Sequence, residues 1–189
     1  MLRAGLFHYG RILLNGTRAM RETAAALAAG PGERVLDFGC GCGGFSATVP
    51  GEYVGIDLDP DYIAFARWRW GNARRRFKRV RLEELADDER FDAAIIASVL
   101  HHLSDGLADR ILGRLACMVR SRVVVLDLDP EAANWLQRVL LDRDRGEYIR
   151  PVARQRAILE RHFVITAQRR VVATTASAVH VLFVCTPRH

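Results

Sequence analysis

The sequence predicts an α/β fold: a mostly parallel sheet with helices on both faces, closed at its C-terminal end by an antiparallel hairpin. Three observations predict it. Short β-rich runs alternate with helical stretches from Arg34 to Leu128, the pattern of parallel strands joined by crossovers. Several of these runs are continuously apolar, as strands covered on both faces are. The last two β-rich runs are joined only by Ala173 to Ser177, whereas a crossover needs about a dozen residues or more, so that pair must lie antiparallel.

The elements follow in order. TRAMRETAAALA, from Thr17 to Ala28, is alanine-rich and meets the breakers Gly30-Pro31-Gly32, which predicts a helix. Arg34 to Phe38 is a short strand running straight into Gly39, Gly41, Gly43 and Gly44, the pattern of a strand, a tight turn and a helix start. Tyr53 to Asp57 is a second strand. Asp59-Pro60-Asp61 then supplies an N-cap, a first-turn proline and an acid favourable to the helix dipole, opening a helix to about Trp70. Val80 to Leu82 reads as a weak third strand, and Phe91 to Ala97 as a buried fourth. A helix from Asp105 to Val119 shows Leu107, Ile111, Leu115 and Met118 at helical spacing. Arg122 to Leu128 is the fifth strand, helical stretches follow near Glu131 to Leu141 and Val152 to Arg161, and Phe163 to Val172 and Ala178 to Cys185 form the closing pair.

A chain of 189 residues, 50% hydrophobic and 26% charged, suits one domain, 1–189, able to bury a core without disulfides or a structural metal. Cys40, Cys42, Cys117 and Cys185 form no C-x-x-C pair and are expected to stay reduced. The N-terminal residues lack the apolar region and cleavage site of a secretory signal, and no apolar run is long enough to span a bilayer, so a cytoplasmic protein with no membrane partner is expected. The net charge of +6 rests on 27 arginines and one lysine. Eight basic residues fall between Arg67 and Arg81, interleaved with Trp68, Trp70 and Phe77. Such a stretch suits nucleic acid, or else a solvated helix face with its aromatics turned to the core.

The chemistry concentrates in Val35-Leu36-Asp37-Phe38-Gly39-Cys40-Gly41-Cys42-Gly43-Gly44-Phe45. Glycines at this turn let the backbone approach a ligand lying across the carboxyl ends of the strands. Gly39, Gly41 and Gly44 also satisfy G-x-G-x-x-G, which raises a dinucleotide as one ligand. Charge separates the candidates. Asp37, two residues before the first glycine, sets a carboxylate near the turn, repelling a pyrophosphate and attracting a ligand that carries an ammonium and a sulfonium. S-adenosylmethionine has both and no phosphate. Asp57, at the tip of the second strand, is placed to accept from both ribose hydroxyls. Turn capping is the alternative role for both acids.

These residues resemble the class I S-adenosylmethionine-dependent methyltransferases. VLDFGCGCGGFS is similar to that family's first motif, YVGIDLDPDYI to its second, and FDAAIIASVLHHLSD to the fourth strand and following loop of its small-molecule members. The resemblance implies a Rossmann-like, doubly wound sheet of seven strands with the last antiparallel, S-adenosylmethionine as donor and S-adenosylhomocysteine as product. It implies a cofactor-binding core over 33–130, between a helical cap at 1–30, an acceptor-covering segment at 131–162 and the closing hairpin at 163–189. By the family pattern Asp37, Gly39, Gly41 and Gly43, with Phe38 and Cys40 in the same turn, contact the methionine half. Asp57 takes the ribose, Leu58 the adenine face, Glu83 the adenine amino group, and Ser98 lies at the end of the fourth strand beside the cofactor.

Methyl transfer is an in-line displacement, so the enzyme must align acceptor and methyl and exclude water, with a base needed only for a protonated nucleophile. His101 and His102 follow the fourth strand and are candidate bases, or packing elements; Tyr148 is a candidate pocket residue. Asp127 and Asp129 are read as strand-end caps, with no metal expected. The chain lacks the Asn/Asp-Pro-Pro-aromatic run of exocyclic-amine methylases, the Pro-Cys nucleophile of pyrimidine-carbon methylases and the double-glutamate loop of protein-arginine methylases. The expected activity is methylation of an oxygen, nitrogen or carbon of a small metabolite. An RNA methyltransferase using Arg67 to Arg81, and a non-catalytic S-adenosylmethionine-binding module, are the alternatives. Acceptor and oligomeric state are not legible.

Overall fold

The structure, a computed structural model, describes residues 18–132, 147–172 and 179–188. Four helices and seven strands are described: α1 (Arg18–Leu27), β1 (Arg34–Phe38), β2 (Glu52–Asp57), α2 (Pro60–Trp70), β3 (Arg75–Arg79), β4 (Phe91–Ala97), α3 (Asp105–Met118), β5 (Val119–Leu128), α4 (Val152–Leu159), β6 (Phe163–Val172) and β7 (Val179–Pro187). The strands form one sheet in the order β3-β2-β1-β4-β5-β7-β6. β1 to β5 pair in parallel, while β7 pairs antiparallel with both β5 and β6. The seven-stranded, doubly wound sheet and its antiparallel closing pair are therefore as the sequence led us to expect.

Alternation along the strands divides the core between two faces. Leu36, Val54, Ile96, Val125 and Phe183 pack on one side with Ile111, Leu112 and Leu115 of α3 and Ile158 and Leu159 of α4. Their neighbours Val35, Tyr53, Ile95, Val124 and Leu182 pack on the other with Ala19 and Leu27 of α1 and Ile63 and Ala66 of α2. A strand buried on both faces has no polar side to display, which is why β4 and the Val123–Leu126 part of β5 read as unbroken apolar runs. No helix among the described residues is long and apolar enough to cross a membrane.

Three expectations need correction. The third strand is Arg75–Arg79, not Val80 to Leu82, which leads instead into a 3₁₀ turn at Leu82–Glu84. RRFKR occupies the sheet edge and buries only Phe77, so it carries no apolar alternation to announce it. The glycine turn opens a 3₁₀ turn at Gly44–Thr48, with Gly43 in left-handed conformation before it, and no α-helix. Finally, Arg67 to Arg81 is not one helix face: α2 stops at Trp70 and the basic residues continue through a turn into β3. The helix expected near 131–141 lies outside the described residues apart from 131 and 132, as do the hairpin connection at 173–177 and the chain before 18.

Candidate functional site

The strand order reverses between β1 and β4, so the loops leaving their carboxyl ends diverge and leave a crevice where open α/β sheets bind ligands. The glycine turn forms one wall. The Gly39 and Cys40 N–H groups both donate to Ile56 O, at 2.9 and 3.0 Å, tying the turn to β2, and Gly43 N–H donates to Cys40 O at 2.9 Å. Trp70 of α2 donates its indole N–H to Cys42 O at 3.1 Å.

Gly39, Gly41 and Gly43 have φ of 71°, 51° and 74°, values that L side chains rarely adopt. Their surroundings differ. A Cβ on Gly39 would stand 2.5 Å from a Val99 methyl, and one on Gly43 2.5 Å from the Phe77 ring. At Gly41 a Cβ would meet nothing within 4 Å. The first and third glycines thus let the turn pack against the loop after β4 and against β3, whereas the second faces open space.

The acids are oriented by the backbone. Asp57 Oδ2 accepts from Gly41 N–H at 2.8 Å and Oδ1 from Asp59 N–H at 2.9 Å, so its carboxylate lies beside the glycine turn with each oxygen retaining acceptor capacity. Leu58 next to it is 58% exposed, an apolar ledge at the end of β2. Asp37 is buried and accepts from the Tyr53 hydroxyl at 2.5 Å. Burial first, then the nearby Asp37 charge, pushes the Tyr53 phenol well above its usual range. Desolvation, followed by the charges of Asp37 and Asp57, likewise pushes up the buried Cys40 thiol, which is therefore inert packing against Gly55 rather than a nucleophile. Phe38 is partly buried and packs against the core cluster that includes Leu36 and Ile96. Glu83 is exposed in the 3₁₀ turn after β3 and makes no hydrogen bond or ion pair among the described residues.

The loop after β4 forms the other wall. Ser98 has φ of 57°, a left-handed conformation unusual for serine, with its N–H donating to Leu126 O at 2.8 Å. His101, His102 and Tyr148 are brought together: the two imidazoles lie 4.1 Å apart, and Tyr148 N–H donates to His101 O at 3.0 Å. His101 is buried, and its Nδ1–H faces Asp127 Oδ1 while Asp127 Oδ2 accepts its backbone N–H at 3.2 Å. That pairing turns Nδ1 to the carboxylate and leaves Nε2 as the ring nitrogen directed away from it. His102 is exposed.

Asp129 caps the chain after β5 by accepting from the N–H groups of Glu131 and Ala132, both at 3.1 Å, and takes Arg170 Nε at 2.8 Å. Capping is thus its role, and that of Asp127 includes holding His101. No group of three or more His, Cys, Asp or Glu side chains among the described residues is arranged to hold a metal.

Two residues of this wall carry no signal in the sequence. Arg150 is buried and donates to Leu100 O at 2.7 Å, Tyr148 O at 3.0 Å and Leu103 O, while its Nε reaches Asp105 Oδ1 at 2.7 Å. It clamps the segment bearing Tyr148 onto the loop bearing His101. Gln155 Nε2 donates to Leu128 O and Arg150 O, at 2.7 and 2.9 Å, closing the floor of the same small cleft. Apart from the local Arg150–Tyr148 and Gln155–Arg150 bonds, these partners are 27 to 50 residues apart in sequence and become neighbours only on folding.

Residues 36–121 match a family model described as a methyltransferase domain. By that stretch and its fold the chain is similar to the class I S-adenosylmethionine-dependent methyltransferases. Solved structures carry the same fold. Magnesium protoporphyrin IX methyltransferase from Synechocystis PCC 6803, with bound S-adenosylhomocysteine, is 21% identical with a TM-score of 0.74, the match covering 96% of this chain and 88% of that one. The 1,6-didemethyltoxoflavin-N1-methyltransferase of Burkholderia thailandensis is 24% identical with a TM-score of 0.74 and coverages of 98% and 85%. The N-methyltransferase NodS of Bradyrhizobium japonicum WM9 is 15% identical with a TM-score of 0.75 and coverages of 92% and 88%. Comparison with curated proteins finds no match.

Proposed function

We propose that this protein transfers a methyl group from S-adenosylmethionine to an oxygen, nitrogen or carbon atom of a small metabolite. The observation that carries the reading is the carboxylate of Asp57, held by Gly41 N–H beside a glycine whose missing side chain opens onto the crevice. In this reading the turn from Asp37 through Phe38, Gly39, Cys40, Gly41 and Gly43 receives the methionine half, with the buried charge of Asp37 favouring its ammonium. Asp57 accepts from the ribose hydroxyls, the Leu58 ledge packs on the adenine, and Glu83 and Ser98 flank the site. The bound donor supplies a methyl on a positively charged sulfur. Two of the structures named above, the magnesium protoporphyrin IX and 1,6-didemethyltoxoflavin methyltransferases, are named for small-molecule acceptors, which supports an acceptor of that class.

His101, oriented by Asp127, is the residue suited to take a proton from the acceptor, with His102 and Tyr148 beside it at the mouth. Residues 131–162 are the cover of the acceptor pocket; of these, Tyr148, Arg150 and Gln155 clasp the loop after β4 and the end of β5 and keep water from the reacting atoms. We place the reaction in the cytoplasm, where the thiols of Cys40, Cys42, Cys117 and Cys185 stay reduced.

The test is incubation with methyl-labelled donor and fractionated cell extract. Label entering a low-molecular-weight product, and lost with Asp57→Ala, is the expected result. Label entering only RNA or protein, or calorimetry showing no binding of the donor or its demethylated product, overturns the proposal.

A further inference from the structure

Arginine is abundant throughout this chain, so a cluster of it means little until its partners are counted. Most of the described arginines outside residues 67–81 face a carboxylate, as Arg34 does Glu89, Arg122 Glu33, Arg150 and Arg154 Asp105, and Arg161 Asp109. Among the described residues those that do not are Arg18, Arg21, Arg90, Arg110 and Arg188, spread along the chain from α1 to the end of β7. Within 67–81 the pattern inverts. Arg76 meets Glu52 at 3.6 Å and Lys78 meets Glu89 at 3.5 Å, whereas Arg67, Arg69, Arg74, Arg75, Arg79 and Arg81 have no carboxylate among the described residues within 4.0 Å.

These cations share one place, the C-terminal end of α2 and the β3 edge of the sheet. Charges on an edge strand keep it from pairing with other chains, which accounts for basic residues on β3 itself. It does not account for Trp68. That ring is 68% exposed and touches Phe65 at 5.7 Å in a tilted arrangement. Trp70 is committed instead, its N–H to Cys42 O and its face to the Arg69 guanidinium at 4.1 Å. One open indole among uncompensated guanidiniums is the combination that binds unpaired nucleotides, phosphates to the cations and a base stacked on the ring.

We propose that the β3 edge and the end of α2 form a docking surface for single-stranded RNA, the nucleic acid in which unpaired bases are ordinary. It goes beyond the methyl transfer proposed above. β3 stands three strands from β4, about 14 Å at the usual strand spacing of ~4.8 Å, so the surface is separate from the wall that holds His101.

The experiment is fluorescence anisotropy of a labelled single-stranded RNA of about 12 nucleotides, a length such sites span, with the full chain at 50 and 200 mM salt. With four or five phosphates engaged, affinity falls roughly 50- to 130-fold between those salts. Arg69→Gln, Arg74→Gln and Arg81→Gln together flatten the logarithmic salt slope by about 2. Trp68→Ala weakens binding about fivefold or more at an unchanged slope, and Trp68→Phe, which keeps a ring, restores most of it. Thermal melting of each variant at the wild-type temperature excludes misfolding. Absence of binding at 50 mM salt overturns the proposal. So does equal affinity for heparin, duplex DNA or phosphatidylserine vesicles with Trp68→Ala harmless, or tighter binding of single-stranded DNA than of RNA. Methyl transfer to a small molecule is measured separately, so either reading can fail without the other.

Discussion

Replacing each of the three left-handed glycines by alanine separates what the turn does for the fold from what it does for a ligand. An L side chain at such φ costs about 1–2 kcal/mol. At Gly41 that is the whole cost, because the new methyl meets nothing within 4 Å. At Gly39 and Gly43 the methyl stands 2.5 Å from Val99 or Phe77, adding an overpacking cost of about 1–3 kcal/mol for a total of roughly 2–5 kcal/mol. In a chain of this size each kcal/mol lowers the melting temperature by about 2–4 °C. Gly41→Ala is therefore expected to melt about 2–8 °C below wild type, and Gly39→Ala and Gly43→Ala about 4–20 °C below. Calorimetric titration with S-adenosylhomocysteine should show the opposite order: the milder lesion, Gly41→Ala, loses most of its affinity because its methyl occupies the crevice. If Gly41→Ala binds like wild type, or is as unstable as Gly39→Ala, the assignment of open space over Gly41 to the ligand is wrong.

Asp57→Asn keeps the shape but sets an amide N–H against a backbone N–H and removes the charge, so donor affinity should fall about 10- to 100-fold by titration calorimetry; an unchanged dissociation constant refutes the ribose role. Arg150→Ala strands the carbonyls of Leu100, Leu103 and Tyr148 and should cost about 2–4 kcal/mol in urea unfolding, with Arg150→Lys recovering little because an ammonium cannot serve the forked set. Burial pushes the Cys185 thiol up to about 12, from 9.0 when exposed. Since the folded protein then holds a proton that the unfolded chain releases, this group's contribution is intact below pH 9 and is lost as pH rises toward 12, by about 1.4 kcal/mol per pH unit. Unfolding free energies measured from pH 8 to 11 should fall less steeply in Cys185→Ala; parallel slopes contradict the argument.

What could be read from the chain was whatever local order reports. Continuous valines and isoleucines announced β4 and β5 because burial on both faces leaves no polar alternation. The Asp59-Pro60-Asp61 start was legible because a helix cap is satisfied within its own turn: Asp59 accepts from Asp61 and Tyr62 N–H, at 2.8 and 3.1 Å. The length of the Ala173 to Ser177 connection fixed the sense of the closing pair by reach alone. Glycine spacing and two acids marked the candidate site for the same reason, since turn, strand tip and charge all lie within 21 residues of one another, from Asp37 to Asp57.

Tertiary structure decided the rest. That β3 is Arg75–Arg79 follows from its place at the edge, where one buried phenylalanine suffices and the pattern vanishes. The pairing of His101 with Asp127, the clamp of Arg150 on the β4 loop and the different surroundings of Gly39, Gly41 and Gly43 depend on which strands the crossovers set side by side. Periodicity and composition act over a few residues, whereas a hydrogen bond between distant residues exists only once loop closure has brought their strands together.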